Sequence, residues 1–297
     1  MLHPKPPHEP YVPPTEYEDF LKDVTIPEPS TLLDDYKGRT PEAIADIMRN
    51  NRIILHPSLK GVRKEIEKEN PSISRDELTR EMYQHYIKGY YRLVKSVDDN
   101  VGRVLLYLDE SGLSENTLVI YTSDQGFSLG EHGFYNKQWM YENPLHQPLL
   151  VRFPGKIKPG QVHQSMVNHI DLAPTLLDYA GLPIPEDIQG HSLKGILEDE
   201  KDRVRDESYY HFYQHGTTLP EMIGIRTDTH KLIHYPGMKG KYQWEMFDLF
   251  NDPDEMNNLY HQPKHRKLRE NMSEQLRNLI RKVGDPVQAP NLIYKAK

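Results

Sequence analysis

Cysteine is absent from the 297 residues. Disulfides, thiolate metal sites and a cysteine nucleophile are therefore excluded within this chain. Long hydrophobic runs are missing too. Nothing approaches the roughly 18–20 apolar residues that span a bilayer, and residues 1–14, MLHPKPPHEPYVPP, lack the apolar core of a signal peptide. Positive charge is not in excess: Lys and Arg number 37 against 44 Asp and Glu, they are dispersed, and the net charge of −7 offers no basic field to a nucleic acid. No internal repeat is present. Nucleic acid and membrane are therefore not expected partners. What is there is ordinary for a globular protein, with 36% apolar and 27% charged residues, enough for one large core or two moderate ones. The 24 prolines and 19 tyrosines imply long, ordered loops.

In chain order, six prolines in residues 1–14 predict an extended start close to polyproline II. Residues 15–60 mix short helical stretches with loops, and Thr40-Pro41-Glu42 has the pattern of a helix start. Residues 74–111 are strongly helical: Tyr83, Ile87, Tyr90, Val94, Val97, Val101, Val104 and Leu108 share one face, Ser74 is a suitable N-cap, and Gly112 stops the helix. The helix feeds into residues 118–121, LVIY, a short apolar run predicted to be a buried strand of a parallel, doubly wound sheet. PLLVRF at 148–153 is a second strand, ended by Pro154-Gly155. Residues 168–179 form a short helix, with Ile170, Leu172, Leu176 and Leu177 expected inward and Gly181 as its cap. After about residue 203 the pattern changes to strand-like runs at 208–213, 222–227, 231–235 and 245–249, then an amphipathic helix over 264–283 through Leu268, Met272, Leu276, Leu279 and Ile280. The expected organisation is an α/β domain over 1–203 and a small α+β subdomain, an antiparallel sheet plus a helix, over 204–297.

The chemistry gathers after the LVIY strand, where open α/β sheets place their ligands. Asp124 offers a carboxylate oxygen and Gln125 an amide oxygen, donors that suit a hard cation, calcium or magnesium. Gly126 permits a sharp turn or a close approach to a ligand. Lys137 lies farther along the same loop, where a cation holds an oxyanion. Asp-Gln-Gly alone reads as a surface turn. The longer string SDQGFSLGEHGFYNKQWMYE is more informative, and PLLVRFPG and NHIDLAPTLLDYAGLPIPEDIQGHSL follow it in order. Together they resemble the type I sulfatases of the alkaline phosphatase superfamily. Lys5-Pro6-Pro7-His8 resembles that family's K-x-P-H segment, and GIRT, KLI and FDLFNDPDEMNNL resemble its C-terminal subdomain.

The resemblance implies a partial doubly wound sulfatase-like sheet followed by the C-terminal subdomain, and a sulfuric ester hydrolase acting on sulfated sugars, of glycosaminoglycan or N-acetylglucosamine-6-sulfate type. It implies that Asp124 and Gln125 are two of the ligands of one calcium ion, that Lys137 and His8 are catalytic residues contacting the sulfate, and that His146, where close relatives carry Arg, is a weaker substrate-binding candidate. Asp34, Asp35, Asn168, His169 and Asp171 fall on segments that are scaffold in the family. His132 is either an ordered loop histidine or a residue behind the site. His211, His215 and Glu221 lie where the subdomain reaches a sugar.

The family's nucleophile is a formylglycine made from Cys or Ser in C/S-x-P-S/A-R, and no such pattern occurs here. Pro71-Ser72-Ile73-Ser74-Arg75 lacks the spacing. The early Asp pair of the calcium site is missing as well. The expectation is a truncated or split sulfatase, inactive by itself, whose partner is the missing N-terminal half. The competing readings are a phosphatase or phosphonate hydrolase of the same superfamily, and a non-catalytic sulfatase remnant or binding protein.

Overall fold

The computed structural model describes residues 1–37, 42–50, 52–135, 137–213, 219–236 and 243–287. The element order is α1 (Glu42–Asn50), α2 (Lys60–Glu69), α3 (Arg75–Glu110), β1 (Val119–Thr122), α4 (Glu142–Leu145), β2 (Leu149–Arg152), α5 (Leu172–Tyr179), α6 (Lys194–Leu197), β3 (Glu207–Phe212), β4 (Met222–Thr227), β5 (His230–His234), β6 (Trp244–Asp248) and α7 (Arg266–Val283). Thr40 and Pro41 of the expected helix start lie outside the described residues. Two compact units emerge. One comprises Met1–Asp35, Asp46–Lys137 and Glu142–Phe153, and the other Tyr36–Ala45, Gln138–Tyr141 and Pro154–Lys297. No described helix is long and apolar enough to cross a membrane.

The first unit is built on α3. Its start is closed by a capping box: Ser74 Oγ accepts from Glu77 N at 3.2 Å while Ser74 N donates to the Glu77 carboxylate at 2.9 Å. Its end is set by Gly112 at φ +68°. Its buried residues include Leu93 and Val97, and Leu78, Met82, Tyr83, Tyr86 and Ile87 pack with Ile26, Leu32, Ile53, Ile54 and Leu59. Of the expected face Tyr83, Ile87 and Val97 are buried, whereas Val94 and Val104 are exposed.

β1 departs from expectation. It pairs antiparallel with β2, Ile120 opposite Val151, and this is its only strand partner among the described residues. With one neighbour it is half-buried rather than enclosed, and Tyr121 and Leu150 are exposed at 37% and 60%. The start of the chain also departs from a uniform polyproline II path. His8 N donates to Lys5 O at 3.1 Å, closing a turn over Pro6-Pro7.

In the second unit β3-β4-β5-β6 form an antiparallel meander. One side of this sheet (Ile223, Ile225, Leu232, Trp244, Met246) packs on Met272, Leu276, Leu279 and Ile280 of α7, as their spacing predicts. At Gly224 a Cβ would stand 2.2 Å from Met140 Sδ and 2.5 Å from the backbone oxygen of Leu232, so a side chain has no room there. Two polar clusters sit in the same unit: Lys231 Nζ pairs with Glu255 Oε1 at 2.7 Å, both groups fully buried, and the Glu245 carboxylate accepts from Tyr141 and Tyr235 at 3.0 and 2.6 Å. In the 3₁₀ turn before α5 and in α5 itself, Ile170 and Leu176 are exposed rather than inward; Pro174 and Thr175 take the buried side. The chain is a mixed α/β protein with a C-terminal sheet-plus-helix subdomain.

Candidate functional site

α3 also positions the loop that follows β1. Tyr86, fully buried, donates its hydroxyl to Ser128 O at 3.0 Å, and Tyr90 stacks on Phe127 with ring centres 6.1 Å apart. Gly126 fixes the loop from the other side. Its N–H donates to Pro144 O at 3.0 Å, and a Cβ there would stand 2.3 Å from Asn143 O and 2.7 Å from His146 O. The close approach that Gly126 permits is thus to the chain's own backbone.

Asp124 and Gln125 form a bend just past β1, Asp124 exposed and receiving Ser123 Oγ at 3.2 Å. Among the described residues no group of three or more His, Asp or Glu side chains is placed to hold a metal. One carboxylate and one amide oxygen do not fit a whole calcium ion, which takes six to eight oxygens.

His8 and Lys137, far apart in sequence, line one cleft of about 160 Å³ together with Glu9, Tyr11, His56, Pro57, Phe127 and Tyr135. Tyr11 reaches it because Gly89 of α3 leaves room: a Cβ at Gly89 would be 3.1 Å from Tyr11 Cβ. Tyr11 meets Tyr86 edge-on at 5.2 Å. Burial pushes the phenols of Tyr11 and Tyr135 up, so these walls stay neutral. His146 is exposed at the end of α4, its N–H bonded to Glu142 O at 2.7 Å, and is not among the cleft's lining residues.

His56 and Glu9 escaped the sequence reading. His56 sits between two short 3₁₀ turns, Ile53–Leu55 and Pro57–Leu59, anchored by buried Ile53, Ile54 and Leu59. Its Nδ1 accepts from Ser58 N at 3.1 Å, and its ring lies 4.1 Å from that of Tyr135. Burial holds its pKa below the usual histidine value, opposed by the nearby Glu9 carboxylate. The HPS spacing could have flagged a histidine turned back on its own backbone, but nothing in it reveals a cleft.

The other described candidates are engaged in contacts within the chain. His132 is buried and bonds through Nδ1 to Asp34 Oδ2 at 3.0 Å, while Arg52 donates to Leu32 O and Asp34 O. Asp171 receives Asn168 N, His191 N and the Arg205 guanidinium; burial acts to raise its pKa, but these donors outweigh it and hold it low. His211 has both ring nitrogens engaged, with Asp285 at 2.7 Å and Glu221 at 3.0 Å. Burial of Asp285 is likewise outweighed by His211 and the Tyr213 hydroxyl, leaving its carboxyl at about 2. His215 lies outside the described residues.

The cleft brings the Lys137 ammonium and the His8 and His56 imidazoles together with the Glu9 carboxylate beside aromatic walls. Residues 1–182 match the sulfatase family model, and residues 130–282 match that of the C-terminal part of N-sulphoglucosamine sulphohydrolase. The chain belongs to the sulfatase family, a family of hydrolases. It is 33% identical to N-acetylglucosamine-6-O-sulfatase of Bacteroides thetaiotaomicron over 99% of this chain and 60% of that protein. It is 30% identical to an arylsulfatase of Clostridium perfringens over 88% of this chain and 49% of the relative. A solved structure of a protein in complex with its substrate, D-glucosamine-2-N,6-O-disulfate, superposes with a TM-score of 0.86 at 32% identity, over 97% of this chain and 66% of that one. The chain thus spans about half to 60% of the length of these curated relatives.

Proposed function

We propose that this chain is the sulfate- and sugar-binding part of a sulfuric ester hydrolase whose substrate is a 6-O-sulfated glucosamine or N-acetylglucosamine. The observation that carries the reading is the meeting of His8 and Lys137 in one cleft. The ammonium of Lys137 offsets charge on the sulfuryl oxygens, and the His8 imidazole contacts the ester group. The names of the relatives support the choice of sugar. Asp124 and Gln125 contribute two donors to a calcium ion whose remaining ligands come from outside this sequence; such an ion would offset charge on the sulfate. The nucleophile also comes from outside it, since no C/S-x-P-S/A-R occurs. The chain alone therefore binds without hydrolysing, and its partner is the segment that carries the formylglycine. In this scheme residues 1–203 belong to the catalytic α/β domain and 204–297 to the C-terminal subdomain. His146 is kept as a contact to a distal part of the substrate.

Calorimetric titration of the chain with N-acetylglucosamine 6-sulfate tests the proposal. Saturable binding that falls at least tenfold in Lys137→Ala and His8→Ala is expected. Binding unaffected by both substitutions, or no binding by the unaltered chain, would overturn it.

A further inference from the structure

The cleft contains a carboxylate, Glu9, which is ill suited to a sulfate, and a buried imidazole, His56, which a sulfate site built on Lys137 and His8 does not need. His56 is 2% exposed. Its Nδ1 accepts a backbone N–H, so that nitrogen is unprotonated and the neutral ring carries its proton on Nε2. Nε2 is buried and has no hydrogen-bond partner among the described residues. It stands 3.4 Å from Glu9 Oε2, longer than the usual range of about 2.7–3.2 Å. Glu9 is held in place by Ser58 Oγ, which donates to the same oxygen at 3.1 Å, while its side chain remains 44% exposed. Leaving a buried imidazole donor unpaired is unfavourable.

We infer that His56 and Glu9 form a paired donor and acceptor that reads a hydroxyl of the sugar, beside the sulfate held by Lys137 and His8; this rests on the function proposed above. A hydroxyl is the group that uses both at once, its oxygen accepting from His56 Nε2–H while its proton is donated to the Glu9 carboxylate. Glu9 also repels a sulfuryl group, which fixes the direction of the substrate: charged end at Lys137, neutral ring at His56. Tyr11, Phe127 and Tyr135 supply flat apolar faces for the ring carbons. At about 160 Å³ the cleft is below the range of about 300–1,000 Å³ for drug-sized ligands, and so takes one sugar unit rather than a chain.

The test is calorimetric titration of the full chain with N-acetylglucosamine 6-sulfate and, separately, inorganic sulfate, using Glu9→Gln, His56→Gln and Lys137→Ala. Glu9→Gln and His56→Gln are expected to weaken the sugar sulfate about tenfold and leave inorganic sulfate unchanged, while Lys137→Ala weakens both. If His56→Gln melts well below the unaltered chain, the partly exposed Glu9→Gln decides alone. Sugar-sulfate affinity unchanged in Glu9→Gln while Lys137→Ala loses it would overturn the hydroxyl reader and leave the function standing. Equal losses for sugar sulfate and inorganic sulfate in Glu9→Gln would also overturn it. An unaltered chain that binds neither probe would sink both readings together.

Discussion

At Gly126 the backbone leaves no space for a methyl group, since Asn143 O, His146 O and the Pro144 carbonyl carbon all lie within 3 Å of the position a Cβ would take. Those atoms are backbone and cannot step aside. Gly126→Ala should therefore cost about 2–3 kcal/mol, in line with overpacking elsewhere, and displace the Asp124-Gln125 bend. Denaturant melting measures the cost, and a change under 0.5 kcal/mol would contradict the packing described here. His234 makes a second residue-level case. It is buried against Trp244, ring centres 4.0 Å apart, and burial pushes its pKa from 6.5 down to about 4, with a bond to Gln243 pulling the other way. Because the folded value is the lower one, the unfolded chain binds the extra proton. The contribution is complete above pH 6.5 and is lost as pH falls from there towards 4, amounting to about 3 kcal/mol at most. Stability measured at pH 7 and pH 5 should fall less in His234→Phe than in the unaltered chain; equal falls would show that His234 is not the group protonated.

Among the elements, α3 was the most legible in sequence, because its start and stop use local chemistry: Ser74 with Glu77, then Gly112. Ser74→Ala removes half of the capping box and should cost about 1 kcal/mol without altering the folded far-UV spectrum. A loss near zero would mean that tertiary packing alone sets the helix start. The strands of the C-terminal sheet were legible for a similar reason, as short β-rich runs between turns, and α7 showed its stripe of Met272, Leu276 and Ile280. The partner of β1 was not. An apolar run announces a strand but not the direction of its neighbour, and LVIY fits the antiparallel, half-exposed pairing with β2 as well as a buried parallel one. The inward side of α5 was misjudged because Asp171, with Arg205 and two backbone amides, anchors that segment and turns Pro174 and Thr175 inward instead of Leu176. Nor does the sequence pair Lys231 with Glu255, residues that ordinarily face water. Burial makes that pair sensitive to loss of one partner: Lys231→Met leaves the Glu255 carboxylate in the core and should cost about 3–5 kcal/mol, more than the double change Lys231→Met with Glu255→Leu.

Across the whole molecule, the site was legible to the extent that chemistry is written in motifs. Asp124, Gln125 and Lys137 follow one strand, and His8 sits in a short phrase of its own. The cleft was not legible, since it depends on Tyr11 resting against Gly89 and on His56 being turned inward by the Ser58 amide, contacts between segments with no shared pattern. Two donors on a bend, with no third His, Asp or Glu grouped to hold a metal among the described residues, cannot replace the hydration shell of calcium. A ligand at free concentration c stabilises the folded chain by RT ln(1 + c/Kd), so a weak two-donor site contributes almost nothing at millimolar ion. Thermal melting of the chain should accordingly show no shift on adding calcium or a chelator, yet rise with N-acetylglucosamine 6-sulfate, whose proposed contacts lie in the cleft. A calcium-dependent rise that disappears in Asp124→Asn would mean that this chain assembles more of the ion's ligands than its described residues supply, and the expectation of outside donors would be withdrawn.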